Sequence, residues 1–427
     1  MPVLERPSLD DRLSALIASQ PEAIADPYPL FEELLENSPV HHLGPTVVLT
    51  RYDDVKLAVR EFERMSSQAY RVGSRAEQIL AGLNPEQTEA FHGVSNFEMM
   101  YISRSDGSMH GRLRDIAMRP FGVRRVDHLR ATIDRYLDGL IEEALAGSPD
   151  GIVDVVQAIT QRLPVMMICT LLNVPLEDAP IIKGWSGRIG KNRGGVVVED
   201  LLDAHAALLE FREYVQGILD NNRLHPDATD LVTAFMGAAG EDRLSADELM
   251  AQFVVLLFAG SDTTNALMAN GLLALLERPD QWSQLVADPG AARDAVDELM
   301  RWVSPVQFLW RVTVDTMTFG DAEIGPGTTV MPVLAAANRD PRVFAAPDEI
   351  DIRRRPKDHL AFGYGPHFCL GNVLARMEGE AFFSTLARRF PTLALAGDPS
   401  ELEWVGNAMF RTVRTLPVVL GASRTGG

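Results

Sequence analysis

The sequence predicts a mainly α-helical fold with a minor β portion, and three observations lead there. Helical spacing of apolar residues runs through most of the chain. One such pattern starts at Ser245 and persists to Arg278, giving a helix that would cross the whole molecule. Short β-prone pieces cluster in a few places, near residues 46–50, 311–319, 328–333 and 413–419. No repeat, low-complexity tract or linker-like stretch interrupts the 427 residues, so a single domain over 1–427 is expected.

Asp26-Pro27-Tyr28-Pro29 reads as a turn ahead of a helix over 30–36. Residues 66–101 are mixed and poorly periodic; a stretch of that length is usually functional or carries small helices of its own. Ser245-Ala-Asp-Glu248 is a capping box, the serine oxygen accepting a backbone N–H and the glutamate reaching back. The helix it opens runs for about 33 residues, roughly 50 Å, and stops at Pro279. Its middle carries Ala259-Gly260-Ser261-Asp262-Thr263-Thr264. Glycine there costs about 1 kcal/mol relative to alanine, and a carboxylate among apolar neighbours costs more. The stretch is therefore either a tolerated polar patch, with Thr263 bonded to its own i−4 carbonyl, or a functional site. Glu298 and Arg301 stand i, i+3 on a further helix. Taken alone they would be a surface pair worth a few tenths of a kcal/mol.

Composition narrows the class. A hydrophobic content of 46% supports a large core. Two cysteines give no disulfide framework and suit a reducing compartment, so a cytoplasmic location is expected. Residues 1–20 carry regular charges and no apolar h-region, so neither signal peptide nor membrane anchor is expected. The most apolar run, 253–260, is far shorter than the roughly 20 residues of a membrane span. A net charge of −19 argues against nucleic acid as a partner.

The richest stretch is Phe362-Gly363-Tyr364-Gly365-Pro366-His367-Phe368-Cys369-Leu370-Gly371. Two glycines before the cysteine let the backbone turn tightly and approach something flat and bulky. Gly371 and the run after it read as a helix start, which puts Cys369 at the positive end of a helix dipole. A thiolate is stabilised there, and a thiolate is what a metal takes as ligand. Other readings fit less well. Phe368 stands where a dinucleotide fingerprint needs its third glycine, and no βαβ unit surrounds it. A structural zinc site needs four ligands, whereas only His367 lies close in sequence. Cys169, inside an apolar run, is expected to be buried and inert.

The spacing F-x-x-G-x-H-x-C-x-G resembles the haem-ligand loop of the cytochrome P450 family, and the likeness extends in order along nearly the whole chain. It implies a helix-rich triangular domain, with haem b between the long helix and the loop, and with Cys369 as axial iron ligand. Asp262 and Thr263 resemble the family's acid–alcohol pair: Asp262 would relay protons and Thr263 would position their acceptor or its water, beside a groove at Ala259. His110, Arg114, Arg311 and His367 resemble the cations that clamp the haem propionates, while Phe362, Gly363 and Gly371 would frame the cofactor. Glu298 and Arg301 match the family's E-x-x-R, a buried structural network completed by an arginine after the 338–347 meander, Arg353 or Arg354. One departure is Asp106-Gly107-Ser108, where many bacterial members have Asp-Pro-Pro; it makes that loop more flexible.

The resemblance also implies an activity: a bacterial monooxygenase that hydroxylates or epoxidises a small, mostly hydrophobic molecule in secondary metabolism or catabolism. Electrons would come from NAD(P)H through a ferredoxin or flavodoxin and its reductase. Arg112, Arg114, Arg124 and Arg125 would form a docking patch for an acidic partner, or else a solvated helix face. A monomer is expected. The same fold could instead carry out nitration, phenol coupling, desaturation or peroxide-driven oxidation, or serve as a non-catalytic haem sensor or carrier. The Asp262–Thr263 pair argues against the sensor, because ligand binding alone needs no proton delivery. The substrate pocket would draw on Phe97, Met99, Met100, Val255, Phe258, Gln307, Phe308, Met409 and Phe410.

Overall fold

The computed structural model describes residues 7–69, 72–118, 123–172, 174–190, 198–220 and 244–421. Ten helices organise the parts that build the site: α1 (Tyr28–Asn37), α2 (Pro85–Glu98), α3 (Gly107–Met118), α4 (Val123–Gly147), α5 (Arg162–Leu171), α6 (Ala179–Gly190), α7 (Val198–Asp220), α8 (Ala246–Leu276), α9 (Ala292–Val303) and α10 (Asn372–Arg389). Strands β1 (Val40–Leu43), β2 (Thr46–Leu49), β3 (Met65–Ser66), β4 (Arg311–Thr313) and β5 (Thr329–Pro332) form one sheet in the order β1-β2-β5-β4-β3. Only β2 and β5 run parallel in it, with Thr46 opposite Thr329. A separate hairpin pairs β6 (Trp404–Gly406) with β7 (Arg411–Val413).

The long helix α8 begins as its capping box predicts. Ser245 Oγ accepts the Glu248 N–H at 3.1 Å, and Glu248 Oε2 accepts the Ser245 N–H at 2.8 Å. From Ala266 to Leu275 every residue of α8 is buried, because α5, α9, α10 and β7 pack around it. At Gly260 a Cβ would overlap the side chain of Ile168 on α5. Gly260 is therefore a packing requirement, and the propensity cost of glycine is accepted for it.

Residues 66–101, read from sequence as mixed, hold a short helix Ser74–Leu80 and then α2. Asn84 caps α2, accepting the Gln87 N–H at 2.9 Å while Gln87 returns to Asn84 N. That box, followed by Pro85 at the first turn, was the available signal. Helix α1 starts at Tyr28, two residues earlier than expected, since Pro29 suits a first helical turn. Gly107 opens α3 at φ +58, and the loop before it is tied down: the Asp106 carboxylate accepts from Ser66 Oγ at 2.5 Å and from the Ser67 N–H at 3.1 Å. Those bonds supply locally what a proline pair would have supplied by rigidity.

Candidate active site

The cysteine loop gets its shape from two residues in left-handed backbone, Gly363 at φ +71 and Gly365 at φ +73. At Gly365 a Cβ would sit 3.2 Å from the Arg60 Cα, so only glycine lets the loop lie against that segment. The loop closes on itself through the Cys369 N–H, which donates to the Phe362 carbonyl at 2.8 Å. Asn372, the first residue of α10, donates from Nδ2 to the Cys369 carbonyl at 2.7 Å. Cys369 is half-buried. Burial pushes its thiol up, while the Gly371 N–H and the charges of Arg376 and Arg114 pull it down. Burial wins, and the thiol stands above its ordinary value. Cys169 sits in the apolar core, where burial raises it to about 12.

Four bases converge beside that loop from three elements: His110 and Arg114 of α3, Arg311 of β4 and His367 of the loop itself. The His110 and His367 rings lie 4.0 Å apart between centroids. Burial, then the charges of Arg311, His110 and Arg114, lower His367 to about 2. His110 is lowered by burial and by Arg114, and Arg311 by burial to about 10, each opposed by Asp106. His110 Nε2 is buried without a hydrogen-bond partner among the described residues, and Arg311 Nη1 turns back to the Trp310 carbonyl at 2.9 Å. Such a cluster is short of negative charge. It fits a ligand carrying carboxylates, as the two haem propionates are.

On α8 Asp262 and Thr263 face the same cavity as Cys369. Thr263 Oγ1 donates to the Ala259 carbonyl at 2.7 Å, the i−4 bond anticipated for a threonine in this helix. Asp262 forms a salt bridge with Lys183 of α6. Lys183 escaped the sequence reading because nothing local marks a lysine whose partner lies 79 residues away.

The Glu298–Arg301 pair is no surface pair: both side chains are 0% exposed. Arg301 donates to both Glu298 oxygens at 2.8 Å and to the carbonyls of Asn338, Pro347 and Glu349. Of the two candidate third members, Arg354 reaches Glu298 at 3.2 Å, whereas Arg353 is exposed. A second tie holds the cysteine loop from behind: Arg376 of α10 pairs with Asp297 at 2.8 Å and lies 4.3 Å from the Phe362 ring centroid.

The cysteine loop, the four bases and the Asp262–Thr263 pair meet in a cavity of about 830 Å³. Its walls include Phe362, Gly363, Cys369 and Gly371 of the loop, the four bases, Ala259 and Val255 of α8, and Met409 and Phe410 of the β6–β7 turn. Several residues expected in the pocket lie elsewhere. Phe97 packs edge-on to Tyr101 in the core, Met99 is buried, and the Met100 carbonyl accepts from Gln252 Nε2 at 2.6 Å; Tyr101, Ile102 and Arg104 reach the cavity instead. Gln307 spends its amide on the Val303 and Ser304 carbonyls at the end of α9. Phe308 stacks edge-on with Trp310 in the core beneath the N-terminal helices, leaving Pro305, Val306 and Leu309 on the cavity wall. The side chains of Phe258, Arg124 and Arg125 lie outside the described residues. Arg112 is taken up by Glu248, which weakens the expected docking patch. Among the described residues no cluster of three or more His, Cys, Asp or Glu offers an alternative metal site, and no helix is long and apolar enough to cross a membrane.

A helix-rich fold with a cysteine loop and a cation cluster on one cavity defines a haem-thiolate protein. The sequence model of the cytochrome P450 family matches residues 181–288 and 292–409, and the chain belongs to that family. It is 35% identical over 410 residues to the cytochrome P450 monooxygenase PikC of Streptomyces venezuelae, covering 94% of this chain and 93% of that one. It is 36% identical to the vitamin D(3) 25-hydroxylase of Pseudonocardia autotrophica, covering 93% and 94%. Among solved structures CalO2 superposes with a TM-score of 0.83 at 30% identity, over 95% of this chain and 98% of that one. The protein is thus an oxidoreductase, a cytochrome P450 monooxygenase of bacterial type.

Proposed function

We propose that this monooxygenase hydroxylates or epoxidises a bulky, mostly hydrophobic product of bacterial secondary metabolism, with Cys369 as the iron ligand and Asp262–Thr263 as the proton path. The reading is supported by one cavity shared by Cys369, the four bases and the acid–alcohol pair. Bound haem supplies the iron at which dioxygen is reduced by two electrons. His110, Arg114, Arg311 and His367 would hold its two carboxylates. Thr263 Oγ1 passes protons into the cavity, and the partly exposed Asp262 carboxylate renews them from the solvent side. Glu298, Arg301 and Arg354 keep the scaffold behind the cofactor in register for haem uptake.

The substrate class draws on the relatives. One is a hydroxylase of vitamin D(3), and another, 32% identical, is the 6-deoxyerythronolide B hydroxylase of Saccharopolyspora erythraea. A mostly hydrophobic substrate suits the largely apolar cavity. Electrons are drawn from NAD(P)H through a ferredoxin or flavodoxin and its reductase, in a cytoplasmic, monomeric enzyme of one domain.

Reduced protein under carbon monoxide should give the strongly red-shifted Soret band of a thiolate-ligated haem, and a band typical of imidazole ligation would remove Cys369 from its role. Macrolactones and secosteroids should then be titrated for a low-to-high-spin shift. With a compound that binds, Thr263→Ala should consume electrons without matching product; an unchanged yield per electron pair would end the proton-path assignment.

A further inference from the structure

The cavity-lining turn between β6 and β7 is held at its tip by the Gln307 N–H, which donates to the Met409 carbonyl at 2.9 Å, and by Ser19 Oγ, which accepts the Ala408 N–H at 3.1 Å. The strand that leaves it, β7, is held by one side chain of the long helix, and we propose that Asn270 is a positioning residue that helps set how far this turn reaches into the substrate space. One edge of β7 pairs with β6, Val405 opposite Thr412. Its other edge runs along α8. A helix cannot extend a sheet, because its backbone groups are spent internally. The Asn270 amide substitutes for the missing strand. Nδ2 donates to the Arg411 carbonyl at 3.0 Å, while Oδ1 accepts the Val413 N–H at 3.2 Å and the Thr412 hydroxyl at 3.3 Å. Only a planar side chain with donor and acceptor side by side can serve both backbone groups. Asn270 is 5% exposed, so no water takes its place.

The turn is built tightly onto β7. Gly406 has φ +112, and a Cβ there would overlap the Phe410 carbonyl. The Asn407 N–H donates to the Phe410 carbonyl at 2.8 Å, and Asn407 Oδ1 accepts the Met409 N–H at 2.9 Å. Asn407, Met409 and Phe410 all line the cavity. Thr263 stands seven residues before Asn270 on the same helix, about 10 Å along its axis. A single helix therefore carries the proton-delivering hydroxyl and one support of a wall that limits the substrate. Asn270 acts through Met409 and Phe410 and touches no substrate itself. The proposal rests on this cavity being the substrate site.

Three azoles that ligate haem iron through nitrogen test it on the holoenzyme by Soret red shift: imidazole, 4-phenylimidazole and N-dodecylimidazole. Asn270→Leu should keep the carbon monoxide band and the imidazole affinity within about twofold, while dodecylimidazole affinity falls about tenfold or more. Met409→Ala should also change the long ligand, and the double variant should differ little from Met409→Ala alone, since residues acting through one element do not add. An equal effect on all three azoles, no effect on any, or additive effects would overturn the proposal. Should Asn270→Leu fail to take up haem, Asn270→Asp retains the acceptor but loses the donor to Arg411, and an unchanged dodecylimidazole affinity would overturn it equally. If the unaltered protein binds imidazole but neither larger azole, the substrate-site reading fails and takes this proposal with it.

Discussion

Lys183 of α6 and Asp262 of α8 form a salt bridge at the wall of the cavity, bridging two helices that are far apart in sequence. Both side chains are about one-third exposed, at 33% and 38%, so solvent screens the pair and it adds little to stability. Its consequence is directional: the Asp262 carboxylate is held toward α6 and the solvent side.

A proton path through that carboxylate makes a kinetic prediction. Asp262→Asn should lower turnover by about 100-fold, the usual size of a lost acid–base group, while the substrate-induced spin shift keeps its midpoint. Lys183→Met should change turnover by less than about tenfold, because it removes a director and leaves the acid. Product formation at saturating substrate, set against electron consumption, measures both. Wild-type turnover in Asp262→Asn would end the assignment.

Burial decides the next case. Removing the Glu298 carboxylate strands the charge of Arg301, which is 0% exposed, and takes the same carboxylate from Arg354, which keeps its bonds to the Ala345, Ala346 and Glu349 carbonyls. Uncompensated buried charge of this kind costs about 3–5 kcal/mol. Glu298→Ala should therefore lose that much in denaturant unfolding and purify with little haem. Arg353→Ala, at an exposed position outside the network, should behave as the unaltered protein.

How much was legible follows from where each signal lives. The long helix, its cap and the cysteine loop are local patterns of spacing and capping, and the structure carries them at the expected residues. Spacing alone made the E-x-x-R pair a surface pair and only the family resemblance implied its burial, since burial depends on the Asn338–Glu349 carbonyls wrapped around Arg301. Pocket residues were least legible. Neighbours such as Phe308 and Leu309 point to opposite sides of an extended run, and the sequence alone does not say which side faces the cavity. Lys183 and Asn270 left no local mark, because their partners lie far along the chain.

At Gly260 two effects of opposite sign compete. Alanine improves helix propensity by about 1 kcal/mol, yet its methyl would overlap Ile168, and overpacking a tight core costs about 1–3 kcal/mol. Gly260→Ala should thus be neutral to destabilising by about 2 kcal/mol. Adding Ile168→Ala should recover part of the loss through relieved overlap, in a thermal unfolding cycle over both positions. Additive losses would show that α5 and α8 do not meet there.

Glu378 on α10 offers a pH test, since it is buried and its Oε2 has no partner among the described residues. Burial raises its carboxyl well above the ordinary value. The folded protein then holds this proton more tightly than the unfolded chain does. Between the unfolded value, near 4.5, and the raised folded value, unfolding releases a proton. The stability contributed by Glu378 is therefore fully present below that lower value and is lost as pH rises through the window. Glu378→Gln keeps the shape and a neutral side chain at every pH. Its unfolding midpoint should match the unaltered protein near pH 4 and exceed it increasingly toward pH 8, in matched denaturant titrations. A difference between the two proteins that stays constant with pH would mean that Glu378 titrates normally and finds a partner when charged.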